Sequence, residues 1–273
     1  MKVTVLIENS TPSDRVCAKH GLSLFLETGE QRILFDMGPD ASFLDNAKTL
    51  GVDVATADLA VLSHGHFDHA GGLRAYLDAT ESTSVYASTL AFAKHVADTP
   101  FGYKDIGAAP ELAADPRIEL VGACHEIDEN LTLVSRVEPK RLFAKSNAIL
   151  LEEASGEYVP DSFAHEQSLI VREGERYILV SGCSHTGIVN IIERAEEVAG
   201  HAMDVVVAGM HLMDPSTGLV EDPEITRQIA EILAAHKGTY YTYHCTGLAA
   251  YSVLRDVLGE RINYLYAGSV VEV

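Results

Sequence analysis

The chain has 273 residues, 47% of them hydrophobic, and its 20 Lys and Arg against 40 Asp and Glu leave a net charge of −20. That length supports one sizeable core, and the charge repels a long nucleic-acid backbone over most of the surface. No run approaches the apolar length of a membrane span, "MKVTVLIENS" lacks the longer apolar core and cleavage site of a signal peptide, and the four cysteines form no close CxxC pair. The expectation is therefore a cytoplasmic protein with reduced thiols, in contact with neither membrane nor long nucleic acid.

In chain order, residues 22–38, "LSLFLETGEQRILFDMG", read as a β-hairpin of apolar arms around a Gly-Glu turn. A helix over about 40–50 and the strand "DLAVLSH" follow. Short strands are predicted at 84–88, 118–121, 131–135 and 147–152, and the Gly-, Pro- and Ala-rich segment from about 97 to 117 reads as a loop or lid. Residues 167–183, "QSLIVREGERYILVSGC", form a second hairpin that aligns to the first without gaps, with six identities in seventeen positions. A helix over about 187–199 and the strand "DVVVAGMH" follow it, so each half runs hairpin, helix, strand, histidine. The chain closes with helix 223–236, strand "TYYTY", helix 247–258 and strand "INYLYAG". Near-continuous apolar strands between helices predict an α/β fold with sheets covered by helices and ligands gathered at the strands' carboxyl ends.

The chemistry concentrates in residues 62–72, "LSHGHFDHAGG". His64 and His66 are two apart and point the same way in extended backbone, whereas Asp68 and His69 are adjacent and diverge. One pair suits one metal ion and the other a second, and imidazole with carboxylate favours zinc, manganese or iron. Four ligands do not complete two sites. His185 in "SGCSHTG", His211 in "AGMHL" and His244 in "YHCTG" each follow an apolar strand and are the candidates to complete them. His95, His125, His165, His201 and His236 sit in no ligand-like setting. Cys183 and Cys245 read as small buried thiols packed behind the site. Lys140 and Arg141, with Lys145, form a basic cluster in an acidic chain, suited to a phosphate or to a solvated loop.

"LSHGHFDHAGG" resembles the signature of the metallo-β-lactamase superfamily, "FDMG" its first motif and "GCSHTG" its third. "KHGLSLFLE", "GCSHTG", "GMHL" and "HCTG" together resemble its branch of methanopterin-biosynthesis-like dihydropterin synthases. The resemblance implies a single domain over 1–273, a four-layer αββα sandwich of two pseudo-repeated halves. It implies that His64, His66 and His185 hold one divalent ion, that Asp68, His69 and His244 hold another, with zinc the first expectation, and that Asp36 braces the metal loop. Met210 and His211 stand where the superfamily usually offers a bridging aspartate. His20 matches the branch pattern and, with Lys140 and Arg141, is a candidate substrate contact.

The function expected is metal-dependent hydrolysis of a small ester, a phosphoester or phosphodiester, by metal-activated water. Asp68 would manage the proton and His211 would donate to the leaving group. The alternative is a dihydropterin transferase releasing diphosphate. A di-iron redox protein resembles HxExDH, which His66 contradicts, and a non-enzymatic metal-binding module is the last alternative. The partner expected is a small phosphate-containing molecule, with self-association into a homo-oligomer left open.

Overall fold

The computed structural model describes residues 1–214 and 217–273. The chain gathers into two compact units, one of Met1–Gly122, Ala148–Gln167 and Tyr266–Val273, the other of Ala123–Asn147 and Ser168–Leu265.

The first unit is built on a seven-stranded sheet in the order Val270–Glu272, Lys2–Ile7, Ser23–Glu27, Arg32–Phe35, Leu59–Val61, Ser84–Ser88, Ile118–Val121. The first hairpin forms over Ser23–Phe35, with Leu24 opposite Phe35 and Leu26 opposite Ile33. Its arms are buried at nearly every position rather than at alternate ones. Both faces are therefore covered, which is why apolar runs rather than alternation mark these strands. Leu59–Val61, Ser84–Ser88 and Ile118–Val121 continue the sheet in parallel. Helix Ser42–Leu50 joins the hairpin to the next strand and ends at Gly51 in the left-handed region, φ 75°. It buries Phe43 and Ala47 in a core with Leu6, Leu34, Leu73 and Tyr76.

The segment expected to be a loop or lid is instead structured. His95–Thr99 and Gly102–Asp105 form an antiparallel hairpin, which pairs with Leu150–Ala154 and then Glu157–Pro160 in a four-stranded sheet. Its return arm backs the histidine motif: the N–H of Phe67 donates to the carbonyl of Ile106 at 2.8 Å, and that of Ala108 to Gly65 at 2.7 Å. The strand expected at 147–152 begins later, at Leu150, after a 3₁₀ turn over Lys145–Ile149.

The second unit carries a seven-stranded sheet in the order Ile262–Tyr264, Thr239–Thr242, Val205–Ala208, Arg176–Ser181, Gln167–Glu173, Leu131–Ser135, Cys124–Glu126. Gln167–Glu173 and Arg176–Ser181 form the second hairpin, and the next three strands run parallel to its second arm. The first unit has the same strand plan, an antiparallel hairpin followed by three parallel strands, with helices in the first two crossovers and, in the third, the strands His95–Thr99 and Gly102–Asp105 and a 3₁₀ turn over Pro110–Ala114. The duplication suggested by six identities is thus repeated in topology. Helix Ile188–Ala199 buries Ile188, Ile191, Ile192 and Ala195, and helices Pro223–Ala235 and Leu248–Leu258 add Ile229, Leu233 and Leu254 to the same core. Among the described residues no helix is long and apolar enough to cross a membrane.

Candidate metal centre

In each unit the candidate metal-ligating side chains follow the carboxyl ends of parallel strands, where peptide groups leave the sheet and side chains converge. His64 comes three residues after strand Leu59–Val61; His185, His211 and His244 follow Arg176–Ser181, Val205–Ala208 and Thr239–Thr242.

In the first unit, His64, His66, Asp68 and His69 are all buried. The His64 ring centroid lies 4.7 Å from that of His66 and 4.2 Å from that of His69. One carboxylate organises this loop. Asp36 accepts the Ser63 N–H at 2.7 Å, the Ser63 hydroxyl at 2.7 Å and Nδ1–H of His69 at 2.6 Å. Because the Ser63 hydroxyl is spent on Asp36, its oxygen takes Nδ1–H of His64 at 2.9 Å. Both imidazoles are thereby held in the tautomer that leaves the Nε2 lone pair for a metal. Asp36 itself has φ 59°, a strained setting for a side chain with a Cβ. Asp68 places Oδ2 3.1 Å from Nε2 of half-exposed His20 and 3.7 Å from Nε2 of His69. His20 and Asp68 are therefore together.

Behind His66 lies a group that sequence reading passed over. His95 and His165, read as having no ligand-like setting, are buried around Asp161. Oδ2 of Asp161 is 2.8 Å from Nδ1 of His95, 3.4 Å from Nε2 of His165 and 3.9 Å from Nε2 of His66. Burial alone would raise the Asp161 carboxyl, but His165, His66 and His95 outweigh it and hold the group far below the carboxylate range. Burial is also the main cause that lowers His165 to about 4 and His66 below its ordinary value, with Asp161 opposing in both. A neutral His165 fits its other contact: Nδ1 accepts the Gly65 N–H at 3.0 Å, so its proton is on Nε2, facing Asp161. With Nδ1 accepting, a neutral ring carries N–H at Nε2, which faces Oδ2 of Asp161 at 3.4 Å. No local pattern in "DSFAHE" announces this, because Asp161 and His95 are brought together only by the pairing of Leu150–Ala154 with His95–Thr99.

In the second unit, Nδ1 of His185 lies 3.0 Å from Oδ1 of Asn147, and Nδ2 of Asn147 donates to the His185 carbonyl at 2.8 Å. The ring is held at Nδ1, again leaving Nε2 as the donor atom. His211 stacks against it, with ring centroids 4.1 Å apart. His211 and His244 are buried and have φ 46° and 51°, and Ser184 beside His185 has φ 60°. Three non-glycine residues in the left-handed region at the ends of the sheet are a concentration of strain of the kind that marks functional loops. Neither ring nitrogen of His211 makes a hydrogen bond of acceptable geometry. Its N–H donates to Sγ of Cys245 at 3.3 Å. Burial opposes it, but Cys183, His211 and His244 hold the Cys245 thiol well below the ordinary thiol range.

The basic segment borders the His185 loop through its backbone: Nδ2 of Asn190 donates to the carbonyls of both Arg141 and Thr186, at 2.9 and 2.8 Å. Arg141 is paired with Glu193, and Lys140 lines a cleft of about 340 Å³ that also holds Glu138, Glu193 and Glu197. Lys145 is largely exposed, its Nζ 3.5 Å from Glu221.

Whether these residues suit divalent ions is decided by the imidazoles. His64, His69 and His185 are each held at Nδ1, so that the nitrogen left over is a lone-pair donor rather than an N–H. That is the chemistry a metal requires.

A family model described as the metallo-beta-lactamase superfamily matches residues 18–183. A Methanocaldococcus jannaschii protein named 7,8-dihydropterin-6-methyl-4-(beta-D-ribofuranosyl)-aminobenzene-5'-phosphate synthase is 28% identical over 276 residues, covering 93% of this chain and 90% of its own. The crystal structure of Tm1679, described as a metal-dependent hydrolase of the beta-lactamase superfamily, superposes with a TM-score of 0.82 at 29% identity, covering 100% of this chain and 99% of its own. Zinc-bound PqqB from Methylobacterium extorquens shares the fold with a TM-score of 0.60 at 11% identity, covering all of both chains. The chain belongs to the metallo-β-lactamase superfamily and has its fold.

Proposed function

We propose that the protein is a metal-dependent hydrolase of a small phosphate ester, with His64, His66, Asp68, His69, His185 and His244 as ligands of two divalent ions, zinc first among them. The observation that carries this reading is the Asp36 carboxylate, which holds buried His69 directly and buried His64 through Ser63 in the ligating tautomer. Divalent ions held there supply Lewis-acid polarisation of a phosphoryl oxygen and acidify a water at neutral pH. The protein's own part is to orient and to move protons. Asp68, with Oδ2 3.1 Å from Nε2 of His20, is placed to take a proton and share it with a half-exposed imidazole that reaches solvent. His211, buried with both ring nitrogens available, is the candidate donor to the leaving group.

A second reading is favoured by the Methanocaldococcus relative, whose name is that of a synthase of a dihydropterin-bearing phosphate. In a transferase, the same ions would stabilise a departing diphosphate, and Asp68 would take a proton from the acceptor. Metal-loaded protein incubated separately with a phosphodiester and with a dihydropterin diphosphate plus an arylamine separates the two. Hydrolysis of the first supports the hydrolase, and condensation of the second supports the transferase. A His66→Ala protein that keeps its metal and full turnover overturns both.

A further inference from the structure

We infer that Cys183 is a metal ligand, its thiolate supplying the anionic group shared by the two ions. The inference rests on the two-ion reading above but is carried by the second unit's own geometry. Sγ of Cys183 lies within 4.8 Å of a donor atom of His185, and also within 4.8 Å of a donor atom of His244. These two histidines are the ones assigned to different ions. A single atom near both is placed as a shared ligand, since paired ions of this kind sit about 3.5–4 Å apart.

A second observation points to the same place. Donor atoms of Cys183, His211 and Cys245 lie within 4.8 Å of one another. His211 is 6% exposed, and beside the two sulfurs neither ring nitrogen has a hydrogen bond of ordinary geometry. Leaving a buried polar group unsatisfied is unfavourable, so a fold that keeps this one presents it to something that binds. His211 stands where a bridging aspartate is expected, but an imidazole has no second oxygen with which to bridge. A thiolate has several lone pairs on one atom and can bridge, and it is the softer ligand that zinc accepts readily. The chain thus places its bridging anion two residues before His185, on a different strand end from His211. Cys183 is 3% exposed and Cys245 1%, so neither is a surface thiol. Ligation replaces the S–H bond of Cys183 by metal–sulfur bonds and releases one proton to solvent, with no oxidation or reduction.

Cys245 is distinguished from Cys183 by its contacts. It accepts the His211 N–H at 3.3 Å and lies 3.4 Å from the Cys183 carbonyl, positions that support the two loops. It is the control.

The experiment is X-ray absorption at the metal edge of protein purified with zinc, paired with the electronic spectrum of the cobalt-substituted protein. The expected result is a zinc–sulfur shell at about 2.3 Å and a near-ultraviolet thiolate-to-cobalt charge-transfer band. Cys183→Ser is expected to lose that band and at least half of the bound metal, whereas Cys245→Ser retains both. Cys183→Asp is expected to lose the band but recover the metal content, because a carboxylate can bridge. A first shell of nitrogen and oxygen alone in the wild-type protein overturns the inference while leaving the two-ion reading intact, and it does so even if the variants fail to fold. A band that survives Cys183→Ser and is lost in Cys245→Ser also overturns it. A protein that binds no divalent ion at all fails the proposed function itself, which metal analysis shows before either spectrum is taken.

Discussion

Nδ1 of His69 lies 2.6 Å from Oδ2 of Asp36, with neither side chain exposed to solvent. The same carboxylate accepts both the N–H and the hydroxyl of Ser63, so three donors converge on one group held at φ 59°. Asparagine at this position keeps the size but offers a single acceptor oxygen and brings two N–H donors of its own. Asp36→Asn is expected to weaken metal binding by about 10–100-fold, read by competition with a chromophoric chelator. An unchanged affinity shows that Asp36 only fills space.

Asp161 poses the corresponding question for His66. It satisfies Nδ1 of His95 at 2.8 Å and faces Nε2 of His165 at 3.4 Å, and it also accepts the Phe163 N–H at 2.7 Å. Truncation to alanine strands two buried imidazoles and a buried amide. Asp161→Ala is expected to lower stability by about 2–4 kcal/mol, seen as a lower urea midpoint in chelator-treated protein. If the midpoint moves only in the metal-loaded protein, the cluster acts on the ion and not on the fold.

These two carboxylates show how much the sequence discloses. Asp36 was legible because "FDMG" resembles the superfamily's first motif, and the bracing role was what that resemblance implied. The hairpins, the helices and the strands leading to His64, His211 and His244 were legible from local order along the chain: an apolar run with a turn on either side needs no distant partner to identify it. Asp161, His95 and the sheet that joins them were not. Val96 pairs with Leu151 more than fifty residues away, and the strands Gly102–Asp105 and Glu157–Pro160 are largely exposed or half-buried, so neither carries an apolar run. Cys183, read from the sequence as a small thiol packed behind the site, is buried; its spacing from His185 is the same whether it packs or ligates, and its nearness to a donor atom of His244 is not legible along the chain.

The tight turn of the metal loop yields a steric prediction. A Cβ on Gly65 would lie 2.0 Å from the Ala91 carbonyl oxygen, and one on Gly72 would lie 2.2 Å from that of Met37. Both obstacles are backbone, which cannot swing aside. Gly65→Ala is expected to be destabilised by about 3 kcal/mol or more and to lose bound metal. Gly29→Ala, whose Cβ meets nothing within 4 Å, is the control and should stay within about 0.5 kcal/mol. Comparable melting temperatures for the two would contradict the packing at Ala91.

Acid stability should respond to Asp115. Hydrogen bonds from Arg117, chiefly that of its side chain, lower its carboxyl to about 2 from 3.8. The depressed value means that the folded state favours the charged form. The contribution is therefore complete above pH 3.8 and disappears as pH falls toward 2. Arg117 also donates from Nη1 to the carbonyls of Leu77 and Thr80 at 2.5 and 2.8 Å, tying the end of helix Leu73–Ala79 to the strand beyond. Arg117→Ala is expected to be about 1–2 kcal/mol less stable at pH 7, with the gap to wild type narrowing between pH 4 and 2. A gap that is constant with pH would assign the effect to the carbonyl contacts alone.

Metal removal tests the centre as a whole. Ions that bind the folded chain and not the unfolded one add about 2.7 kcal/mol per site at a free concentration one hundred times the dissociation constant. Treatment with a chelator is therefore expected to lower the melting temperature, and zinc to restore it. His69→Ala should keep part of that response, because His64 retains its contact with Ser63 and, through it, with Asp36. Asp36→Ala should keep less, because it releases both rings at once. If His69→Ala and Asp36→Ala respond to zinc alike, the two imidazoles are not held by a common carboxylate, and the link from Asp36 through Ser63 to His64 has no part in metal binding.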